Sequence, residues 1–149
     1  MTVYYDVFTD AFLAKITEYN FFAMDEYVRE LTVDGYMKRA CAQFSQVCKY
    51  DISNGNESTR SFKLDGITEG ELDEIVDIVS EGMVVQWLKQ YTYKQENLEN
   101  MLNTTDYSAY SPAELLKRVV EAYKNCKRDF TNMIRDYSYR HGDLTDLHL

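Results

Sequence analysis

The feature that most constrains this chain is a long apolar stripe that begins just after the stretch SPAEL. Ser111 is a good helix N-cap, Pro112 suits the first helical position, and Glu114 completes a capping box. Apolar side chains then recur at spacings of three and four for about seven turns, which predicts one amphipathic helix ending near Gly142. The members of the stripe are Leu115, Val119, Tyr123, Cys126, Phe130, Ile134 and Tyr137.

A second helix is predicted for the stretch ITEGELDEIVDIVSEGMVVQWL, where Thr68 and Glu71 repeat the capping-box spacing. The chain carries seven acids and no base from Asp65 to Glu81. Three of these acids share one helix face and could hold a cation, but sites for hard metals usually gather ligands from several segments. A solvated acidic face is therefore the favoured interpretation. The inward face is expected to contain Leu72, Ile75, Val76, Val79, Met83 and Trp87, and the outer face Glu74, Asp77 and Glu81.

The remaining segments also favour helix, with one exception. Asp34-Gly35 and the region near Asn20 predict breaks between two or three N-terminal helices, and a short helix is expected near residues 96–102. The exception lies near residues 50–66, where turn residues predict either a loop or a small β-hairpin. The apolar faces expected in the N-terminal helices are Phe8, Phe12, Ile16 and Tyr19, and Met37, Ala40, Cys41, Phe44, Val47 and Cys48.

These patterns predict an all-α fold of about five helices, with one loop or small β-hairpin excursion near residues 50–66 and an extended C-terminal tail. A chain of 149 residues favours one domain, which we assign to residues 1–142, with residues 143–149 as an extension. No apolar run reaches the roughly 18 to 20 residues of a membrane span. The first residues lack the pattern of a signal peptide, so synthesis in the cytosol is the expectation.

Residues suited to catalysis or metal binding are sparse. The sequence has no glycine-rich phosphate loop, no GxSxG and no CxxC, and both of its histidines lie near the C-terminus. Cys41 and Cys48 are seven residues apart, about 10 Å along one helix, which is too far for a disulfide. We therefore predict no enzyme activity, no metal and no cofactor, and three buried thiols.

Charge is divided unevenly along the chain. The net charge is −9, which argues against sequence-independent binding of nucleic acid along a broad face. Seven of the sixteen basic residues nevertheless lie on the last long helix. They could contact phosphate, or they could pair with the acidic helix of the same or another subunit, which we favour. These residues are Lys117, Arg118, Lys124, Lys127, Arg128, Arg135 and Arg140.

Tyrosines at predicted helix ends, together with the C-terminal tail, are the candidate partner-binding residues. Tyrosine provides a large contact area with a polar tip and is enriched at protein interfaces, although partial burial at the edge of a domain would explain the same residues. The tail could be an apolar strap that docks in a groove, or a frayed chain end. The candidates are Tyr91, Tyr93, Tyr107, Tyr110, Tyr137, Tyr139, His141, Leu144, Leu147 and Leu149.

Motifs in about the last 90 residues resemble a known family. They are Gly82-Met83 with Trp87-Leu88, Tyr110-Ser111-Pro112-Ala113, and Tyr137-Ser138-Tyr139 with Gly142-Asp143-Leu144. In this order they resemble small neck proteins of tailed bacteriophages, the head-to-tail connector or adaptor class.

The resemblance implies a structural virion protein that forms a ring in the neck, made in the host cytoplasm. It implies copies of the chain itself as partners, often twelve, together with portal and tail or neck proteins. DNA would pass through the lumen only as cargo, and no membrane is involved. The alternative is a small helical adaptor or regulatory protein that binds a partner through its tyrosine-rich helix ends.

Overall fold

The computed structural model describes residues 1–16, 26–92 and 112–141. These ranges contain four helices and one small sheet, so the coarse prediction of a mostly helical fold is confirmed. The helices are α1 (Tyr5–Ile16), α2 (Glu26–Phe44), α3 (Glu69–Lys89) and α4 (Pro112–His141), and the strands are β1 (Thr2–Tyr4) and β2 (Ser61–Lys63). The predicted break near Asn20, the helix near 96–102 and the extension 143–149 lie outside the described residues.

Helix α3 is the centre of the fold, because α1, α2 and α4 all pack against it. It begins where the sequence predicts: the Thr68 hydroxyl accepts from the Glu71 N–H at 3.2 Å, and the Glu71 carboxylate accepts from the Thr68 N–H at 3.3 Å. Ten of its residues are buried. Trp87 is fully buried, with its ring centroid 6.4 Å from that of Phe12 and 6.1 Å from that of Tyr91.

Helix α4 runs antiparallel to α3, since Phe130 lies against Gly82 and His141 lies beside Glu74. At Gly82, three helices approach each other closely. A Cβ atom built on Gly82 would lie 2.6 Å from the Phe130 ring and 2.8 Å from the Ala40 Cβ. Glycine is therefore required at this position by packing, because any side chain would push α2 or α4 away from α3.

The excursion near residues 50–66 contains the short strand β2, and its partner is the N-terminal segment. Strand β1 pairs with β2 antiparallel, with Val3 opposite Phe62. Tyr50 and Ile52, which flank the predicted turn, lie outside the sheet. The sequence pattern indicated a turn and an extended segment, but the pairing across about sixty positions depends on how α1 packs.

The predicted break at Asp34-Gly35 is wrong, since α2 continues through both residues. Two kinds of tertiary contact explain why these residues are helical despite their low intrinsic helix propensity. Val33, Tyr36 and Met37 on either side are buried in the core. Asp34 receives two hydrogen bonds from the Arg60 guanidinium, at 2.8 and 2.7 Å.

Candidate interaction surface

Helix α4 has one face inside the domain and the opposite face outside it. Val119, Cys126, Phe130 and Tyr137 are buried, as the stripe predicts, and Tyr123 and Ile134 are partly buried. Ser111 and Gly142, the predicted ends of the helix, lie outside the described residues, and the helix between them runs to His141 as expected.

Four basic residues form a straight stripe on the outer face of α4, opposite the buried one. They are Lys117, Lys124, Arg128 and Arg135, and all four are exposed. Their spacings of seven, four and seven residues keep them within about one side of the helix, over a length of about 27 Å. We call this set the basic stripe.

Helix α4 also differs in charge from the remainder of the chain. From Pro112 to His141 it carries seven bases and four acids, a net charge of +3. The other residues carry nine bases and twenty-one acids, a net charge of −12. Half of this negative charge lies in the described body, residues 1–16 and 26–92, which carry eight bases and fourteen acids, a net charge of −6. An exposed basic helix therefore packs on an acidic body.

Within the described residues, the predicted pairing of α4 with the acidic helix is seen at the C-terminal end of α4. Arg140 forms an ion pair with Glu74, and His141 Nε2 lies 3.1 Å from the same carboxylate. Within the part of the chain that the structure describes, Lys124 and Arg135 form no ion pair, and Arg128 reaches only Asp129, at 3.8 Å. The basic stripe therefore has no acidic partner on α3 of its own chain.

Cations from other elements neutralise much of the acidic face of α3. Lys15 on α1 donates to Asp77 Oδ1 at 2.9 Å and to Glu81 Oε2 at 3.2 Å. Lys49 lies 3.4 Å from Glu71. The Glu74 and Glu81 side chains are each only 20% exposed. The favoured interpretation of these acids as a solvated face is therefore wrong for Glu74 and Glu81, which fasten neighbouring elements to α3.

The C-terminal turn of α4 is fixed by a group that we call the clasp: Glu74, Tyr137, Arg140 and His141. The His141 ring lies over the Tyr137 ring, with centroids 4.3 Å apart, while Glu74 contacts both Arg140 and His141. The Tyr137 hydroxyl accepts from the Lys49 N–H at 3.1 Å. Burial raises the pKa of Tyr137 to about 12, so the hydroxyl remains protonated. The clasp thereby fixes the point from which the chain continues beyond His141.

A second hydrogen bond stabilises the same end of the domain. The Tyr50 hydroxyl donates to Glu71 Oε2 at 2.8 Å. This bond, followed by those from Thr68, lowers the pKa of Glu71 to about 2. Glu71 therefore serves at once as a helix cap and as an anchor for the segment after α2.

The structure separates the predicted partner-binding tyrosines. Tyr91 and Tyr137 are buried in the core, where their rings serve packing. Tyr139 is 58% exposed and projects from the last turn of α4. His141 belongs to the clasp. Outside the described residues lie Tyr93, Tyr107, Tyr110, Leu144, Leu147 and Leu149.

Other features give little chemistry. Cys41 and Cys126 are buried and Cys48 is half-buried, and all three are free thiols. Burial raises the pKa of Cys41 to about 12, so this thiol is not a reactive thiolate. Among the described residues no group of three or more His, Cys, Asp or Glu could hold a metal ion. Within the same ranges, no helix combines the length and apolar character needed to cross a membrane.

A polar cleft beside the sheet is a feature that the sequence did not reveal. It is a wide, shallow opening with hydroxyl and amide groups on its walls. Its lining comes from three separate segments, which explains why no motif marks it. The residues that line it are Thr2, Tyr4, Asp51, Asn54, Gly55, Asn56, Thr59, Ser61 and Lys63.

No protein-family model matches the chain, and neither a curated protein nor a solved structure matches it.

Proposed function

We propose that this chain is a structural protein of a tailed-phage virion, which assembles with copies of itself into a ring in the neck between portal and tail. The proposal rests chiefly on the division of charge between α4 and the described body, residues 1–16 and 26–92, with +3 against −6. A subunit with a basic face and an acidic face can bind its neighbour head to tail, and such contacts close into rings when the rotation allows.

The shape of α4 supports the same proposal. It has 30 residues against 21 in α3, so at about 1.5 Å per residue it is longer than its main packing partner by roughly 13 Å. Its outer face presents the exposed basic stripe, while its last turn is fixed by the clasp. The resemblance of the motifs around Gly82 and Tyr137 to phage neck proteins supports the specific assignment.

Electron microscopy of the purified protein, alone and mixed with the portal of the same phage, tests the proposal. We expect rings of the isolated protein or rings attached to the portal, and the protein in purified virions. A chain that stays monomeric at high concentration, does not bind portal and is missing from virions would contradict the assignment.

One observation favours the alternative of a small adaptor protein. Tyr139 is exposed at the tip of α4, beside the clasp, where a partner could bind the helix end. An adaptor of this kind would remain a monomer or dimer and would bind a protein outside the virion. Loss of that binding in Tyr139→Ala, with rings never observed, would favour the adaptor over the neck protein.

A further inference from the structure

We infer that the basic stripe of one subunit binds an acidic ridge on a second copy of this chain. The ridge is made of Asp65, which precedes α3, and of Glu69 and Asp73 in the first two turns of α3. The inference rests on the proposed function in one respect, since both require that the chain binds itself. It goes further in naming the two surfaces and their residues.

The acidic ridge is exposed, and the one ion pair that it forms within the described residues joins Asp65 to the Met1 amino group, at 3.6 Å. The Asp65 side chain is 93% exposed, and Glu69 and Asp73 are also exposed. Among the described residues neither Glu69 nor Asp73 forms an ion pair, in contrast to Glu71, Glu74, Asp77 and Glu81 on the same helix. The helix dipole favours an acid at Glu69, in the first turn, but it does not account for Asp73.

The two surfaces match in spacing as well as in charge. Lys124 and Arg128 are four residues apart on α4, and Glu69 and Asp73 are four residues apart on α3. Each pair therefore extends about 6 Å along its helix. Within one chain each pair brings like charges together, which destabilises a helix. When the two helices lie side by side in neighbouring subunits, each charge meets an opposite one.

The geometry favours a neighbouring subunit over the same subunit. The basic stripe lies opposite the α4 face that packs on α3, so it points away from the α3 of its own chain. A contact between two different surfaces is heterologous, and it leaves one stripe and one ridge free for the next subunit. Such a contact is the kind that builds a ring.

Nucleic acid is the competing occupant of a basic helix face, and the body of the protein disfavours it. A duplex along the stripe would lie close to the described body, residues 1–16 and 26–92, which has a net charge of −6. The same body offers an acidic surface of matching spacing. A second copy of the chain therefore fits the basic stripe better than nucleic acid does.

A charge exchange tests the inference. One variant carries Lys124→Glu and Arg128→Glu. A second variant carries Glu69→Lys and Asp73→Lys. Sedimentation velocity measures the self-association of each variant at low and high salt. We expect each variant alone to associate at least about tenfold more weakly than the wild type, and an equimolar mixture of the two to regain association. Association should also weaken as salt screens the charges.

A matched control carries Lys63→Glu and Lys89→Glu, two exposed positions off the stripe, with the same change in net charge as the first variant. This control should associate as the wild type does. If the wild type associates but neither exchanged pair weakens it, or if the mixture fails to restore it, the inference is overturned and the proposed function stands. If the wild type never associates at any concentration and no portal complex forms, both are overturned.

The same proteins distinguish self-association from the binding of nucleic acid. A fluorescent DNA duplex should bind the wild type and the Lys124→Glu, Arg128→Glu variant equally weakly. The wild type could instead bind DNA with a steep dependence on salt, and the variant could lose this binding while its self-association is unchanged. That result would assign the stripe to nucleic acid and overturn the inference.

Discussion

Helices α3 and α4 are both amphipathic, yet they use their charged residues differently. Helix α3 contacts three other helices, and its half-buried acids Glu71, Glu74 and Glu81 are each fastened by a cation from another element. Helix α4 buries one stripe against α3, and on its outer face Lys124 and Arg135 form no ion pair within the described residues. The difference teaches that the half-buried acids of α3 hold the fold together, whereas the basic stripe of α4 is available to a partner.

The largest effect is expected at the centre of the fold. Trp87→Ala should lower the free energy of unfolding by roughly 3 to 5 kcal/mol, because the fully buried ring leaves a cavity between α1 and α3. Chemical denaturation measures this change. Tyr139→Ala, at an exposed position on α4, is the matched control and should stay within about 0.5 kcal/mol of the wild type. Equal losses of unfolding free energy in the two variants would contradict the placement of Trp87 in the core and of Tyr139 at the surface.

Two glycines in helices offer a sharper comparison. Gly82→Ala should lower the free energy of unfolding by about 1–3 kcal/mol, because the new Cβ would collide with Phe130 and Ala40. Gly35→Ala, inside α2 with open space around it, should raise the same free energy by about 0.5–1 kcal/mol. Thermal and urea unfolding of both variants measure the changes. Equal stability of Gly82→Ala and Gly35→Ala would contradict the close packing of α2, α3 and α4 around Gly82.

In the clasp, charged residues of α3 and α4 contact each other, and a single substitution removes these contacts. Glu74→Gln should lower global stability by about 1 kcal/mol or less, since Arg140 is more than half exposed. Locally, amide hydrogen exchange over residues 137–141 should become several-fold faster, while exchange in the middle of α3 stays unchanged. Glu69→Gln, which removes an exposed acid outside the clasp, is the control. Unchanged exchange at residues 137–141 in Glu74→Gln would show that the clasp does not hold the end of α4.

The smallest expected effect depends on pH. The pKa of Glu71 is lowered from 4.5 to about 2, chiefly by the Tyr50 hydroxyl, so this interaction stabilises the fold above pH 4.5 and is lost as the pH falls toward 2. The thermal midpoint of Tyr50→Phe should therefore lie below that of the wild type at pH 7, and the gap should narrow between pH 5 and pH 3. Glu71→Gln should lack this pH dependence. A constant gap across the same pH range would contradict the assignment.

Periodicity predicted α3 and α4 well because both contain an uninterrupted apolar stripe, and the Thr68 capping box marks a boundary that local hydrogen bonds determine. Periodicity failed where tertiary contacts override local preference. Asp34-Gly35 looks like a helix break, but Arg60, which lies twenty-six positions away, holds Asp34 in the helix. The pairing of β1 with β2 likewise depends on contacts between distant segments.

The candidate surface was predictable in composition but not in geometry. Seven bases on one helix indicated an interaction, and the positions of Lys124 and Arg128 on one face follow from helical spacing. Their lack of an acidic partner on α3 depends on how α4 is oriented in the fold. The burial of Tyr91 and Tyr137 also required the structure, because a tyrosine at a helix end has the same sequence pattern whether it packs inward or binds a partner.

The sedimentation coefficient distribution of the Lys124→Glu, Arg128→Glu variant at low salt is the most direct test of the claim that α4 serves the fold with one face and a partner with the other. The variant must be compared with the wild type at equal concentration, in samples whose thermal midpoints are also measured. The account predicts that the variant sediments as a monomer with an unchanged midpoint while the wild type associates. A variant that associates as the wild type does, or one that loses association only because it unfolds, would contradict it.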